Sequence, residues 1–133
     1  MFRTNFHSGF SLLELLIVVA IIGVLVTVSY PGYEYRMQQI HEAAAKQYLL
    51  EVSSLQNEYL VEKYHYASTL SELGIAPRTE VSDYYSIAIT QLDDQVEPRV
   101  YTLQATPKIN STQMSQQILE LNHLGETNKG WHD

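Results

Sequence analysis

The feature that most constrains this chain is an apolar run near its start: from Phe10 to Tyr30 the only charged residue is Glu14. Wound as an α-helix at about 1.5 Å per residue, the run is roughly 31 Å long, about one bilayer core. It is therefore expected to cross a membrane. A secretory signal peptide would end a shorter apolar stretch at a small-residue cleavage site, whereas this run continues into a helical pattern and is expected to be retained. The orienting charges are Arg3 and the start amine on one side and Glu34 on the other, which places the N-terminus inside and the following domain outside.

The chain has 133 residues. Leader and membrane run use the first thirty or so, which leaves enough for one small domain. The net charge is -7, and setting aside Arg3 and Glu14 leaves 7 basic against 14 acidic residues after Tyr30. That balance is the opposite of a nucleic-acid footprint, so no nucleic-acid partner is expected. There are no cysteines, so a domain outside the cytoplasm must hold together by packing or by neighbouring subunits.

Beyond Pro31 and Gly32, Met37, Ile40, Ala44, Tyr48, Val52, Leu55 and Tyr59 recur at steps of three or four. This predicts one long helix from Phe10 to about Glu62, with that stripe packed on a core and Glu42 and Lys46 paired on the exposed side. Leu49, Leu50, Leu60 and Val61 widen the apolar surface toward a second contact. Thr69 to Glu72 fits a capping box and Gly74 a helical stop. Three strands are predicted, Tyr84 to Leu92, Arg99 to Thr106 and Gln117 to Leu124, each alternating apolar and polar residues. The fold class is α+β, a long helix against a small antiparallel meander, with Trp131 as a late packing anchor.

Catalytic patterns are missing from the sequence. The histidines His7, His41, His65, His123 and His132 form no paired metal spacing, and there is no thiolate, Walker loop or dinucleotide fingerprint. No catalytic residue, metal or cofactor is therefore expected, and a separate motor would have to supply any energy. Asp93, Asp94 and Glu97 read as a solvated acidic turn before they read as calcium ligands, and Asn110-Ser111-Thr112 matches a glycosylation sequon.

Glu14 is the residue under tension, because a carboxylate in the apolar part of a membrane helix costs about 2.5 to 3.5 kcal/mol on insertion scales. It either reaches the inner interface or is protonated there, or it meets a partner. The segment Gly9-Phe10-Ser11-Leu12-Leu13-Glu14, followed by Ile-Val-Val-Ala-Ile-Ile-Gly to Gly23, closely resembles the class III leader junction of type IV pilins and type II secretion pseudopilins. Ser11 stands where threonine is commoner. Tyr66-Ala67 and the Leu-Gly at Leu73-Gly74 resemble the region after the long helix in PilE-type minor pilins.

The resemblance implies a pilin fold: one long N-terminal helix, half transmembrane, on an antiparallel sheet of three to four strands. It divides the chain into a cleaved leader (1–9), a transmembrane and assembly helix (10–30) and a periplasmic domain (31–133). A prepilin peptidase would cut between Gly9 and Phe10 and methylate the Phe10 amine. Glu14 would then pair with the Phe10 amine of a neighbouring subunit and fix axial register. Gly23 and Pro31 would mark a segment that loses helicity on assembly, where the plainer reading is a transmembrane kink.

The implied partners are other pilin subunits, the peptidase, inner-membrane lipid, and an inner-membrane assembly platform with its own ATPase motor. The implied function is that of a minor subunit in type IV pilus assembly, supporting motility or adhesion, with no enzymatic turnover, located in the inner membrane and then in the pilus. A type II secretion pseudopilin is the nearest alternative. A DNA-uptake minor pilin is disfavoured by charge, and an anchored enzyme or sensor would make the junction motif a coincidence.

Overall fold

The computed structural model describes residues 9–93, 99–109, 111–113, 116–128 and 131. The leader residues 1–8, the link 94–98 with Asp94 and Glu97, Asn110 of the sequon, and the tail positions 129–130 and 132–133 lie outside the described residues. The chain divides into two compact units, Met1–Arg36 and Met37–Asp133. One helix, α1 (Leu12–Lys63), runs through the first and opens the second.

In the first unit α1 starts where Ser11 caps it: the Glu14 backbone N–H donates to Ser11 Oγ at 3.1 Å, and the Leu15 N–H to the Ser11 carbonyl at 3.2 Å. A side-chain oxygen there satisfies a donor that has no intrahelical partner. From Leu12 to Val28 every side chain is exposed, and the helix is long and apolar enough to cross a membrane. Gly23 and Pro31 both lie inside the helix.

The second unit is a three-stranded antiparallel sheet with the rest of α1 and the connecting loop. The strands are β1 (Tyr85–Asp93), β2 (Val100–Pro107) and β3 (Leu119–Asn122), in the order β1-β2-β3. Ile89 faces Leu103 and Leu103 faces Leu121, while Ile87, Ala105 and Leu119 form the next row. The alternation read from the sequence therefore lands as expected, with Tyr101, Leu103, Ala105, Leu119 and Leu121 all buried on one face. A single bridge, Leu121 to Thr127, lays the tail along the outer side of β3.

The helix meets this core on a face that shares Tyr48 and Val52 with the apolar stripe but is rotated from its centre. Its buried positions are Ala45, Tyr48, Leu49, Val52 and Gln56, whereas Ile40 is 58% exposed and Ala44, Leu55 and Tyr59 are half-buried flanks. The centre of the buried face is rotated because Gln56 belongs to it. Its side-chain amide donates to the Ala67 carbonyl at 2.9 Å and its carbonyl accepts the Ala67 N–H at 2.9 Å. A glutamine that clamps a backbone segment satisfies itself and its partner, so it buries like an apolar residue. Leu49 joins the core, while Leu50 and Val61 remain exposed. At the sheet, Tyr101 is held by a 2.9 Å hydroxyl contact with Ser53 of α1 and by Tyr66 edge-on at 4.6 Å.

Glu42 and Lys46 do pair, at 2.6 Å, but against the tail and not on a solvated side. Lys46 Nζ also donates to the Trp131 carbonyl and lies 5.8 Å from the indole centroid. Trp131 packs on the core edge, as its late position suggests.

The connecting loop carries a capping arrangement displaced by one residue. The Glu72 N–H donates to Thr69 Oγ1 at 3.3 Å, but the Glu72 carboxylate reaches back to Ser68, accepting its N–H at 2.7 Å and its hydroxyl at 3.1 Å. The turn closes as a Schellman motif, Ile75 N–H to Leu70 carbonyl and Gly74 N–H to Ser71 carbonyl, with Gly74 at φ +67°. A short helix, α2 (Thr79–Ser82), then buries Val81 and leads into β1.

Candidate processing and assembly site

Every residue singled out for processing or assembly lies in the first unit. Gly9, Phe10 and Ser11 precede the first turn of α1; Gly9 and Phe10 are exposed, Phe10 at 78%. A Cβ on Gly9 would meet nothing within 4 Å, and its backbone is not in the left-handed region. Nothing in this fold requires glycine there.

Glu14 is also exposed, and among the described residues it makes no ion pair. Its place in the first turn suits the positive end of the helix dipole, a local role that the motif reading passed over. Ser11 and Glu14 together have the spacing of a capping box. The Ser11 half of that box is formed, which supplies a structural reason for a small hydroxyl at Ser11. The signal was present in the sequence as Ser-x-x-Glu.

Gly23 and Pro31 do not interrupt α1 in the isolated chain. Proline has no N–H, so the Thr27 carbonyl lacks its helical donor, and the Thr27 hydroxyl bonds back to the Val24 carbonyl at 2.8 Å. The turn between them is thus weaker than its neighbours while still helical. Gly9, Phe10 and Glu14 share the helix start, whereas Gly23 and Pro31 lie turns away along α1, so no single pocket gathers them.

In the second unit the described cations are mostly held by carboxylates. Lys46 pairs with Glu42, Lys63 with Glu62 at 2.8 Å and Arg78 with Glu51 at 3.1 Å, while Lys108 is exposed and Arg99 half-buried. The described histidines engage aromatic rings: His41 stacks on Tyr84 at 3.6 Å, His65 meets Tyr59 at 5.4 Å and His123 meets Tyr101 at 6.4 Å. Among the described residues no group of three or more acidic, histidine or cysteine side chains could hold a metal ion. Burial raises the hydroxyl pKa of Tyr85, which donates to Gln113 at 3.1 Å inside the core, and that of Tyr101. Both are packing tyrosines.

A long helix, apolar and exposed at its start, on a small antiparallel sheet defines the type IV pilin class. Residues 5–30 match the prokaryotic N-terminal methylation motif. The chain belongs to the family described as "Type IV minor pilin ComP, DNA uptake sequence receptor", whose sequence model matches residues 31–117. A curated relative, the type IV major pilin protein PilA of Myxococcus xanthus (strain DK1622), is 36% identical over 71 residues. The match takes in 53% of this chain and spans about a third, 32%, of that relative's length. The type IV pilin class read from the junction is thereby shown, and the family matched is one of minor pilins. The family matched within it carries the DNA-uptake description that the acidic charge had placed behind other readings.

Proposed function

We propose that this chain is a pilus-assembly subunit: it waits in the inner membrane, loses residues 1–9 to a prepilin peptidase, and enters or primes a type IV pilus through α1. The observation that carries this reading is the first unit itself, a helix exposed and apolar from Leu12 to Val28 whose one carboxylate has no partner among the described residues. A helix apolar all round can leave lipid for a bundle of like helices at little hydrophobic cost, so packing and the Glu14 contact decide the geometry. The Phe10 amine freed by cleavage on a neighbouring subunit is the cation that Glu14 lacks. An unpaired buried charge costs more than a pair gains, so Glu14 selects correct docking. Weakness at the turn from Gly23 to Pro31 would allow local melting in the filament. An assembly platform and a separate ATPase supply the work.

The test is the N-terminus of the protein recovered from its host membrane, together with pilus yield from Glu14→Ala. A chain beginning at N-methylated Phe10, and a Glu14→Ala variant that inserts but yields few pili, are expected. An intact Met1 in cells with active peptidase, or wild-type pilus yield from Glu14→Ala, overturns the reading. Deleting the gene and scoring surface pili against protein secretion separates this role from that of a type II pseudopilin.

A second reading, DNA reception during uptake, is favoured by the family match to residues 31–117. The paired cations and the net charge of -7 argue against it. DNA affinity that falls steeply with added salt would establish it, since each phosphate contact releases counterions.

A further inference from the structure

β1 is an edge strand, paired on one side with β2 and on the other with no named strand. The backbone bonds outside the regular elements reach Tyr84, through the Lys108 N–H at 2.8 Å, but among the described residues none reaches positions 85–92. Among the described residues, alternate N–H and C=O groups from Tyr85 to Leu92 therefore point away from β2 without a backbone partner. The opposite edge is treated differently, because Thr127 bridges to Leu121 there and the tail lies along it.

Burial follows the same asymmetry. On the core-facing side Leu103, Ala105, Leu119 and Leu121 are at most 1% exposed, as is Tyr85 at the start of β1, while Ile87 and Ile89 further along β1 are only half-buried. The apolar layer thus continues into β1 and is only partly covered at Ile87 and Ile89.

Natural edge strands are protected by lysine, proline, an inward charge or a cover. The run Tyr84 to Leu92, Tyr-Tyr-Ser-Ile-Ala-Ile-Thr-Gln-Leu, has no charge and no proline, in a chain where one residue in six is charged. The ladder is regular from Tyr85 to Thr90, and its irregularity comes only between Thr90 and Asp93. Solvent-exposed Glu80 and Asp83 stand just before the strand.

We propose that the free edge of β1 docks an extended segment of a partner protein, added as a fourth strand. The unpaired backbone groups require an extended peptide, and the flanks of Ile87 and Ile89 require aliphatic side chains at alternate positions on its core side. Glu80 and Asp83 require a lysine or arginine at the end lying beside them. A second copy of this chain fits less well. Pairing β1 with itself about Ala88 would set Asp83 against Asp93 at both ends, between molecules that each carry -7. This inference does not depend on the pilus reading, since it concerns an edge of the second unit alone.

The experiment uses the full chain in detergent micelles and a synthetic peptide of alternating valine and threonine with a lysine at each end. Amide hydrogen exchange across residues 85–93 is followed as the peptide is titrated. Saturable slowing confined to β1 is expected, with no slowing by the same peptide N-methylated at alternate amides. Ala88→Lys, at an exposed position, is expected to weaken binding roughly tenfold. Asp83→Lys is expected to weaken the lysine-ended peptide and to favour a glutamate-ended one. An unchanged urea midpoint for each variant shows that it still folds. No slowing at millimolar peptide overturns the proposal, and so does equal slowing by the N-methylated peptide. Protection of β1 that appears with protein concentration alone overturns it too, because the occupant is then a second copy.

Discussion

Replacing Gln56 by leucine tests the central packing claim most directly. Gln56 is fully buried, and its side chain satisfies both the N–H and the carbonyl of Ala67, itself fully buried. Leucine has a similar volume and helix propensity, so Gln56→Leu leaves α1 intact and strands two backbone groups. Each unsatisfied buried group costs about 1–3 kcal/mol. The extra apolar burial returns about 1 kcal/mol of that. The net loss is then about 3 kcal/mol, which for a domain near a hundred residues lowers Tm by about 12–24 °C.

Trp131, the chain's one tryptophan, packs on this core and reports unfolding of the second unit by fluorescence. Urea titration should show a lower midpoint with an unchanged slope. The Ala67 amide should exchange much faster than that of Leu103, because the 64–67 segment can relieve its orphaned groups only by opening and withdrawing Tyr66 from Tyr101. A Gln56→Leu protein within about 0.5 kcal/mol of wild type, the ordinary range for surface changes, would refute the reasoning.

Glu72 gives a pH signature. The Ser68 N–H and then the Ser68 hydroxyl hold its carboxyl below the ordinary 4.5, so its folded pKa lies under the unfolded one. The contact therefore stabilises fully above 4.5 and is lost as pH falls through the lower folded value, and the urea-midpoint difference between wild type and Glu72→Gln should shrink over that window. Gly74→Ala should cost about 1 kcal/mol by backbone strain alone. At φ +67° its Cβ meets nothing within 4 Å, so thermal melting should show a lowered Tm with no change in the exchange pattern of the sheet.

The legible parts of this fold are those where one physical demand acts alone. The run from Phe10 to Tyr30 could be read because a helix that faces lipid needs apolar residues on every side. The strands could be read because Tyr101, Leu103 and Ala105 alternate with Thr102 and Gln104 on a sheet with one buried face. The helix face in the second unit was read with an offset, right at Tyr48 and Val52 but off-centre, because two demands compete there. Gln56 is buried for its hydrogen bonds, Ile40 is exposed despite its side chain, and a hydrophobic pattern weighs both wrongly. The solvated placement of Glu42 and Lys46 failed for a related reason, since only the tertiary return of the tail brings Trp131 to them. The displaced box at Ser68 and Glu72 was half legible, because its spacing tolerates a shift of one residue.

The candidate site inverts this relation, and the glycines show why. Gly74 and Gly125 have φ of +67° and +79°, so the backbone itself explains them. Gly9 has open space around it and no left-handed backbone, so the fold leaves its identity unexplained. The same holds for the exposed side chains of Leu12 to Val28, which a soluble domain would bury, and for Glu14 beyond its favourable place in the first turn. These residues became legible through their motif and stay unaccounted for in the isolated chain. That is the expected mark of groups whose partners are other molecules, which on the proposed function would be a peptidase at Gly9, lipid and then other helices along α1, and a cation beside Glu14. The unprotected edge of β1 has the same character in the second unit. Among the described residues no segment beyond β2 pairs with its backbone from Tyr85 to Leu92, and that run lacks the charges that ordinarily keep such an edge alone.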